Sequence, residues 1–434
     1  TLVGSEAGLG ITSGQYNVAI GRQALRTDDV GDKTVAVGYG ALYGQNSDST
    51  NETTYNVGMG LDAGYYNVTG TYNTLIGAKA GTGPSSNNSH SYNTALGAYA
   101  LNGITTGGNN TALGAQALKA ITTGGSNVAI GHKAGLNATT DDGSIFIGDN
   151  AGAGITTADW NIAIGYGTME HGTVTGGYNI AIGIDAADAF TNNTDNIAIG
   201  KNALGTANSG ENYNIAIGSN AGDNVDNTNS DANVFIGESA GSGGSGALID
   251  CIAIGQSAMD GTGSSGQTGT IAIGADALTA ISSAEFSLAI GYGALQGHTT
   301  GTGNMAIGYG AMDGTAANDC PTSIDNMFIG KDAGGGTWAN NDSNYNLGIG
   351  NYSMDAAMDG ALSNVCVGYN SLGAITTGGY NIAMGHSAAK AITTGTYNVA
   401  IGYHAGDALT DNTGNIAIGY NSLGTANTGE AYNV

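Results

Sequence analysis

The chain has 434 residues, including 78 Gly and only 2 Pro, and its 9 Lys+Arg against 34 Asp+Glu leave a formal charge of −25. Near-absence of proline excludes collagen, an apolar content of 41% in register argues against disorder, and the missing basic footprint argues against nucleic acid. The acids are spread through turns, which suits solubility and mutual repulsion of an exposed fibre.

Along the chain the first element is Leu2-Val3-Gly4, and its full form, Asn17-Val18-Ala19-Ile20-Gly21, comes one period later. The motif Asn-x-Ala-Ile-Gly then returns every 17 to 22 residues, through Asn127–Gly131 and Asn196–Gly200 to Asn415–Gly419. A short fixed period marks a stacked array, not a set of separate domains. We expect an all-β fold, a parallel β-solenoid or β-roll of about 24 short coils. It fills residues 1–434 as a single repeat region that begins and ends mid-repeat, so leader or anchoring segments are expected outside it.

Within one repeat, the residue before the motif Gly and the residue three before it are aliphatic, and the residue between them is mostly Ala. Alternation in an extended segment places the first two on one face and Ala on the other. Both faces are therefore apolar, whereas a lone solenoid would wet one of them. An exposed apolar stripe is an aggregation hazard. The reading is that the Ala face packs against identical chains around a shared axis.

Four residues before the Gly stands Asn, in 18 of the 23 repeats that have the position. Asn17, Asn127, Asn161, Asn196, Asn214, Asn381 and Asn415 are examples, expected to form a stacked amide ladder with a structural role. Just before the Asn an aromatic recurs: Tyr16, Tyr55, Tyr72, Tyr92, Trp160, Tyr178, Tyr213, Phe286, Tyr380, Tyr397 and Tyr432 among others. Such a rank could stack on sugar faces; the plainer reading, that each ring seals its neighbour's coil, is preferred. After the Gly, segments such as Gln23-Ala24-Leu25 and Asn421-Ser422-Leu423 read as a second inward-facing strand that closes the coil. Turns such as Ile121-Thr122-Thr123-Gly124 and Ile392-Thr393-Thr394-Gly395 complete it.

The segments Ser126-Asn127-Val128-Ala129-Ile130-Gly131-His132-Lys133-Ala134 and Tyr397-Asn398-Val399-Ala400-Ile401-Gly402 resemble the head repeats of trimeric autotransporter adhesins. They are also similar to repeats of phage tail fibres and bacterial surface fibre proteins. The resemblance covers essentially the whole chain. It implies a left-handed parallel β-roll, three chains bundled about one axis, an extracellular, cell-surface or virion-tail location, and a task of adhesion. The chain departs from that pattern in its longer average period, and no coiled-coil stalk or membrane anchor is recognised in these residues.

Catalysis finds no support. His90, His132, His171, His298, His386 and His404 fall at unrelated positions without a ligand-spaced partner, and no phosphate loop or Ser/His/Asp set can be assembled. No cofactor is expected. Asp223, Asp226 and Asp231 share a turn, as do Asp28, Asp29 and Asp32, and oxygen-rich turns can hold Ca²⁺. The Gly-Gly-x-Gly-x-Asp repeat of calcium rolls is missing, so solvated turns are the better reading. Cys251 and Cys366 occupy motif positions and read as small buried thiols, while Cys320 lies in a long turn. The function expected is a non-enzymatic shaft or adhesin that self-associates as a homotrimer and presents turns to a glycan or other host-surface receptor. The alternative is a structural subunit of an extracellular filament or sheath without a dedicated receptor.

Overall fold

The computed structural model describes residues 1–47, 53–85, 88–225, 227–283, 285–314, 322–339 and 341–424. These residues contain no helix, and the fold is an all-β parallel solenoid. The coils group into two compact units, Thr1–Tyr213 and Asn214–Val434. The first holds strands β1 (Leu2–Val3) to β12 (Ile197–Ile199), the second β13 (Ile215–Ile217) to β26 (Ile416–Ile418). Within each unit the strands pair in parallel and residue for residue: Ala163 faces Phe146 on one side and Ala181 on the other. The same register holds Ala383 against Cys366 and Ala400.

The strands of the long sheet are at most three residues long because the motif Gly ends each of them. Gly385 has φ +137, and a Cβ there would lie 2.5 Å from the carbonyl oxygen of Gly402 in the next coil. A side chain would meet both a forbidden dihedral and a backbone atom, which accounts for the strict recurrence of Gly.

Two expectations need correction. The segment after the Gly is not a second strand. Its residues at the second and fourth positions after the Gly lie in the left-handed region, as at Gln23 (φ 62) and Leu25 (φ 48), so it runs as successive turns. A second pairing of strands occurs among the described residues between β15 (Leu248–Ile249) and β17 (Gln267–Thr268), beside a few isolated bridges.

The second correction concerns the alanines. Ala19, Ala129, Ala198, Ala289 and Ala400 are 0% exposed within their own chain, so they face the coil interior and not a partner. The turn segment delivers its own buried Ala24 and Leu25 to the same interior. Only a small side chain fits opposite a Leu there. The bulky aliphatic positions consequently point outward: Ile20, Leu113 and Ile130 in the first unit, Ile349, Met384 and Ile401 in the second, are each exposed.

The interior is filled by compensation between coil walls. Where the strand carries Ala, the fourth residue after the Gly is commonly Leu or Met, as in Ala112 with Leu118 and Ala306 with Met312. Where the strand carries Phe, that place is Gly. A Cβ on Gly152 would lie 2.3 Å from Phe146 Cδ1, and one on Gly241 would lie 2.2 Å from Phe235 Cδ1. Side chains such as Phe146, Leu118 and Met312 are fully buried in this way, each worth roughly 1.5–3 kcal/mol, and neighbour contacts add along the stack.

Candidate functional site

The buried asparagines form a hydrogen-bonded column on one edge of the strands. Asn127 donates its backbone N–H to Asn110 Oδ1 (3.1 Å) and its Nδ2 to the Asp141 carbonyl (2.6 Å). Its own Oδ1 accepts the N–H of Ser144 (2.8 Å). Asn17 bridges Gly31 and Thr34 in the same way, Asn161 accepts from Asn179, and Asn196 donates to Asn179 Oδ1. In the second unit Asn214 accepts from Asn233, Asn381 links Asn364 to Asn398, and Asn415 donates to Asn398. Donors and acceptors are consumed inside the fold, so the column satisfies buried backbone and offers nothing to a ligand.

Substitutions in the column are locally repaired. At Ser144 the shorter side chain donates to Asp141 Oδ1 (2.8 Å), and its hydroxyl accepts the N–H of Asn161 (3.0 Å). Burial pushes the Asp141 carboxyl up to about 7. Cys251 and Cys366 are buried, and burial pushes the Cys366 thiol up to about 11, far from a reactive thiolate. Cys320 lies outside the described residues.

The aromatics before the Asn are exposed: Tyr16, Tyr72, Tyr178, Tyr213, Tyr380 and Tyr397 all present their rings to solvent. They do not form one continuous rank. Tyr72 stacks on Tyr92 with centroids 5.0 Å apart, and Tyr380 stacks on Tyr397 at 5.0 Å. Elsewhere the column is interrupted by Ser126, Gly143 or Asp195, and Trp160 lies over Gly143 instead. Tyr432 lies outside the described residues.

A second aromatic column stands directly after the motif Gly, and it was not singled out from the sequence. Tyr369, His386, Tyr403 and Tyr420 stack in series at 5.0, 5.2 and 5.5 Å, and Tyr292 stacks on Tyr309 at 5.4 Å. The same alignment on the Gly would have exposed it. The exposed aliphatic positions lie between the two aromatic positions, so a coil that carries both rings, such as the one with Tyr397 and Tyr403, presents aromatic, aliphatic, aliphatic and aromatic residues at alternate positions. Charge is kept off the two central places.

Some histidines do have acidic partners, one period away and so invisible to local spacing. His132 Nδ1 lies 3.1 Å from Asp149 and His171 Nδ1 lies 2.8 Å from Asp188, whose carboxylate raises the His171 pKa. His90 and His298 are buried, and desolvation lowers both. Among the described residues no three His, Cys, Asp or Glu side chains gather as a metal ion would require. Burial raises the Asp223 pKa, Asp231 is half-buried, and Asp226 lies outside the described residues. Asp28 is buried and accepts from the N–H groups of Gly31 (3.2 Å) and Ser47 (3.3 Å), a turn-closing role. No helix among the described residues is long and apolar enough to cross a membrane.

No protein-family model matches the chain, and no curated protein matches it as a relative.

Proposed function

We propose that the chain is a non-enzymatic, extracellular fibre element: a shaft or adhesin of a cell surface or phage tail that associates with copies of itself and presents its turns to a receptor or surface. The observation that carries this reading is the exposed aliphatic stripe. In each unit the two outward strand positions hold Val, Ile, Leu, Met or Thr coil after coil, without a charge, while the chain as a whole carries −25. A stripe of that length is best covered by an identical stripe. Contact is made by the bulky positions, with the alanines occupied inside each coil. Three copies about an axis is the arrangement that the resemblance to autotransporter heads and tail fibres suggests.

Light scattering on the purified chain tests the reading. The expected mass is three times that of one chain, falling to one chain when Ile130→Lys and Ile401→Lys place charges on the stripe of each unit. A wild-type chain that stays single across the concentration range would remove the basis of the proposal.

A further inference from the structure

The first unit contains a cleft that the stripe and the ladder do not use. It has a volume of about 450 Å³ and is lined by Tyr39, Asp62, Tyr66, Lys79, Tyr99 and Asn102, with neighbouring turn residues. That volume falls in the range of small-molecule sites, roughly 300–1,000 Å³. We propose that this cleft binds a neutral pyranose unit of a glycan.

The repeat explains why these groups converge. Asp62, Lys79 and Tyr99 each stand two residues after a motif Gly, in consecutive coils, and all three adopt the left-handed backbone (φ 52, 60 and 60). Parallel stacking sets them in a column. The coil before them has Gly40 at that place, and a Cβ there would lie 2.6 Å from Asp62 Oδ1 and 3.0 Å from the Tyr65 ring. Asn102, Tyr65 and Thr82 stand five residues after their Gly and Tyr66 six, and they form the opposing column. The cleft is the groove between the columns, with Gly83 also in its lining.

Chemistry narrows the occupant. Asp62 Oδ1 is buried without a hydrogen-bond partner, and desolvation raises its pKa. Lys79 places its ammonium 5.7 Å from the centre of the Tyr99 ring, and its charge opposes the rise at Asp62. Lys79 and Asn102 supply donors, Asp62 an acceptor, and the exposed Tyr39 and Tyr99 rings supply flat apolar faces. Lys79 disfavours a cationic ligand such as a quaternary ammonium, and Asp62 disfavours an anionic one such as a phosphate or an acidic sugar. A polyhydroxylated neutral ring with one C–H face meets all of these groups. A second cleft of about 300 Å³, walled by Tyr43, Asn46 and Val68, shares Tyr66 with the first, which provides room for a second sugar unit.

The inference rests on the attachment role proposed above but not on self-association. The full chain is titrated, by calorimetry and on immobilised glycans, with lactose, cellobiose and chitobiose, and with sialyllactose and choline as charged comparisons. At least one neutral disaccharide is expected to bind with a millimolar Kd. Tyr39→Ala and Asp62→Ala should each weaken it about tenfold, the scale of one ring contact and of one hydrogen bond to a charged group respectively. Tyr397→Ala, on the other aromatic column in the second unit, should leave it unchanged. Light scattering on the same variants keeps the two readings apart, because none of these residues lies on the aliphatic stripe. Failure of all neutral sugars to bind, tighter binding of sialyllactose or choline, or binding indifferent to both cleft variants would overturn the inference.

Discussion

Replacing Asn381 tests the column of asparagines directly. Its Nδ2 donates to the Gly395 carbonyl (2.8 Å) and to Asn364 Oδ1 (3.0 Å), while its Oδ1 accepts the backbone N–H (3.1 Å) and Nδ2 (3.0 Å) of Asn398. In Asn381→Ala the Asn398 side chain keeps the Asn412 carbonyl (2.7 Å), but the Asn398 N–H and the Gly395 carbonyl lose their partners. Two buried orphans at about 1–3 kcal/mol each give a loss of roughly 2–6 kcal/mol. Asn381→Ser should cost less, because the hydroxyl of Ser144 already accepts the next coil's N–H at 3.0 Å. Asn381→Asp should cost more than Ala near neutral pH, since its second oxygen and charge would face two acceptors. Equilibrium denaturation gives the magnitudes. Hydrogen exchange followed by mass spectrometry gives their location, with lost protection centred on residues 364–398, because coupling in a stacked repeat runs between neighbours. If Asn381→Ala matched the wild type in both stability and exchange, the column would not be holding the coils together.

Three further outcomes follow from the same geometry. Gly385→Ala forces an alanine to φ +137 with its Cβ 2.5 Å from the Gly402 carbonyl oxygen, so a loss above about 3 kcal/mol is expected in denaturant titration. Phe235→Ala should cost about 3–5 kcal/mol by opening a cavity. Adding Gly241→Leu should restore much of that, since Gly241 (φ 62) stands where other coils carry Leu with similar φ; a double variant no more stable than Phe235→Ala would refute the compensation. Asp141, pushed up to about 7 from an ordinary 3.8, is bound to its proton more tightly when folded. Its contribution is therefore favourable at low pH and is lost as pH rises from about 4 to about 7, by at most ~4 kcal/mol. Asp141→Asn should accordingly be more stable than wild type at pH 8 and nearly equal at pH 4, as read by the pH dependence of Tm.

Much of the architecture is legible in the residues because one short unit is copied so often. The period, the strand before each Gly and the inward place of Leu25 follow from alternation and from a dihedral that only Gly tolerates. The place of Asn17 and its equivalents follows from the demand of buried backbone for partners. Chemistry between coils is harder to read, because its partners are one period apart. His132 with Asp149, His171 with Asp188, and the cleft formed by Asp62, Lys79 and Tyr99 carry no local spacing signal.

The inside and outside of the strand could not be told apart from composition. Alternation separates Val18 and Ile20 from Ala19, but both sets are apolar, so hydrophobicity leaves the direction undetermined. Closure of the coil settles it: the turn segment returns close to the strand and already fills the interior with Ala24 and Leu25, leaving room on the strand for a methyl group. Aliphatic side chains are therefore displaced to the surface, where they form the stripe. Closure also sets Gln23 and Leu25 in the left-handed region and turns an expected second strand into a corner. Identity and order of the elements reside in the repeat, while the facing of each side chain depends on the width of the space the closed coil encloses.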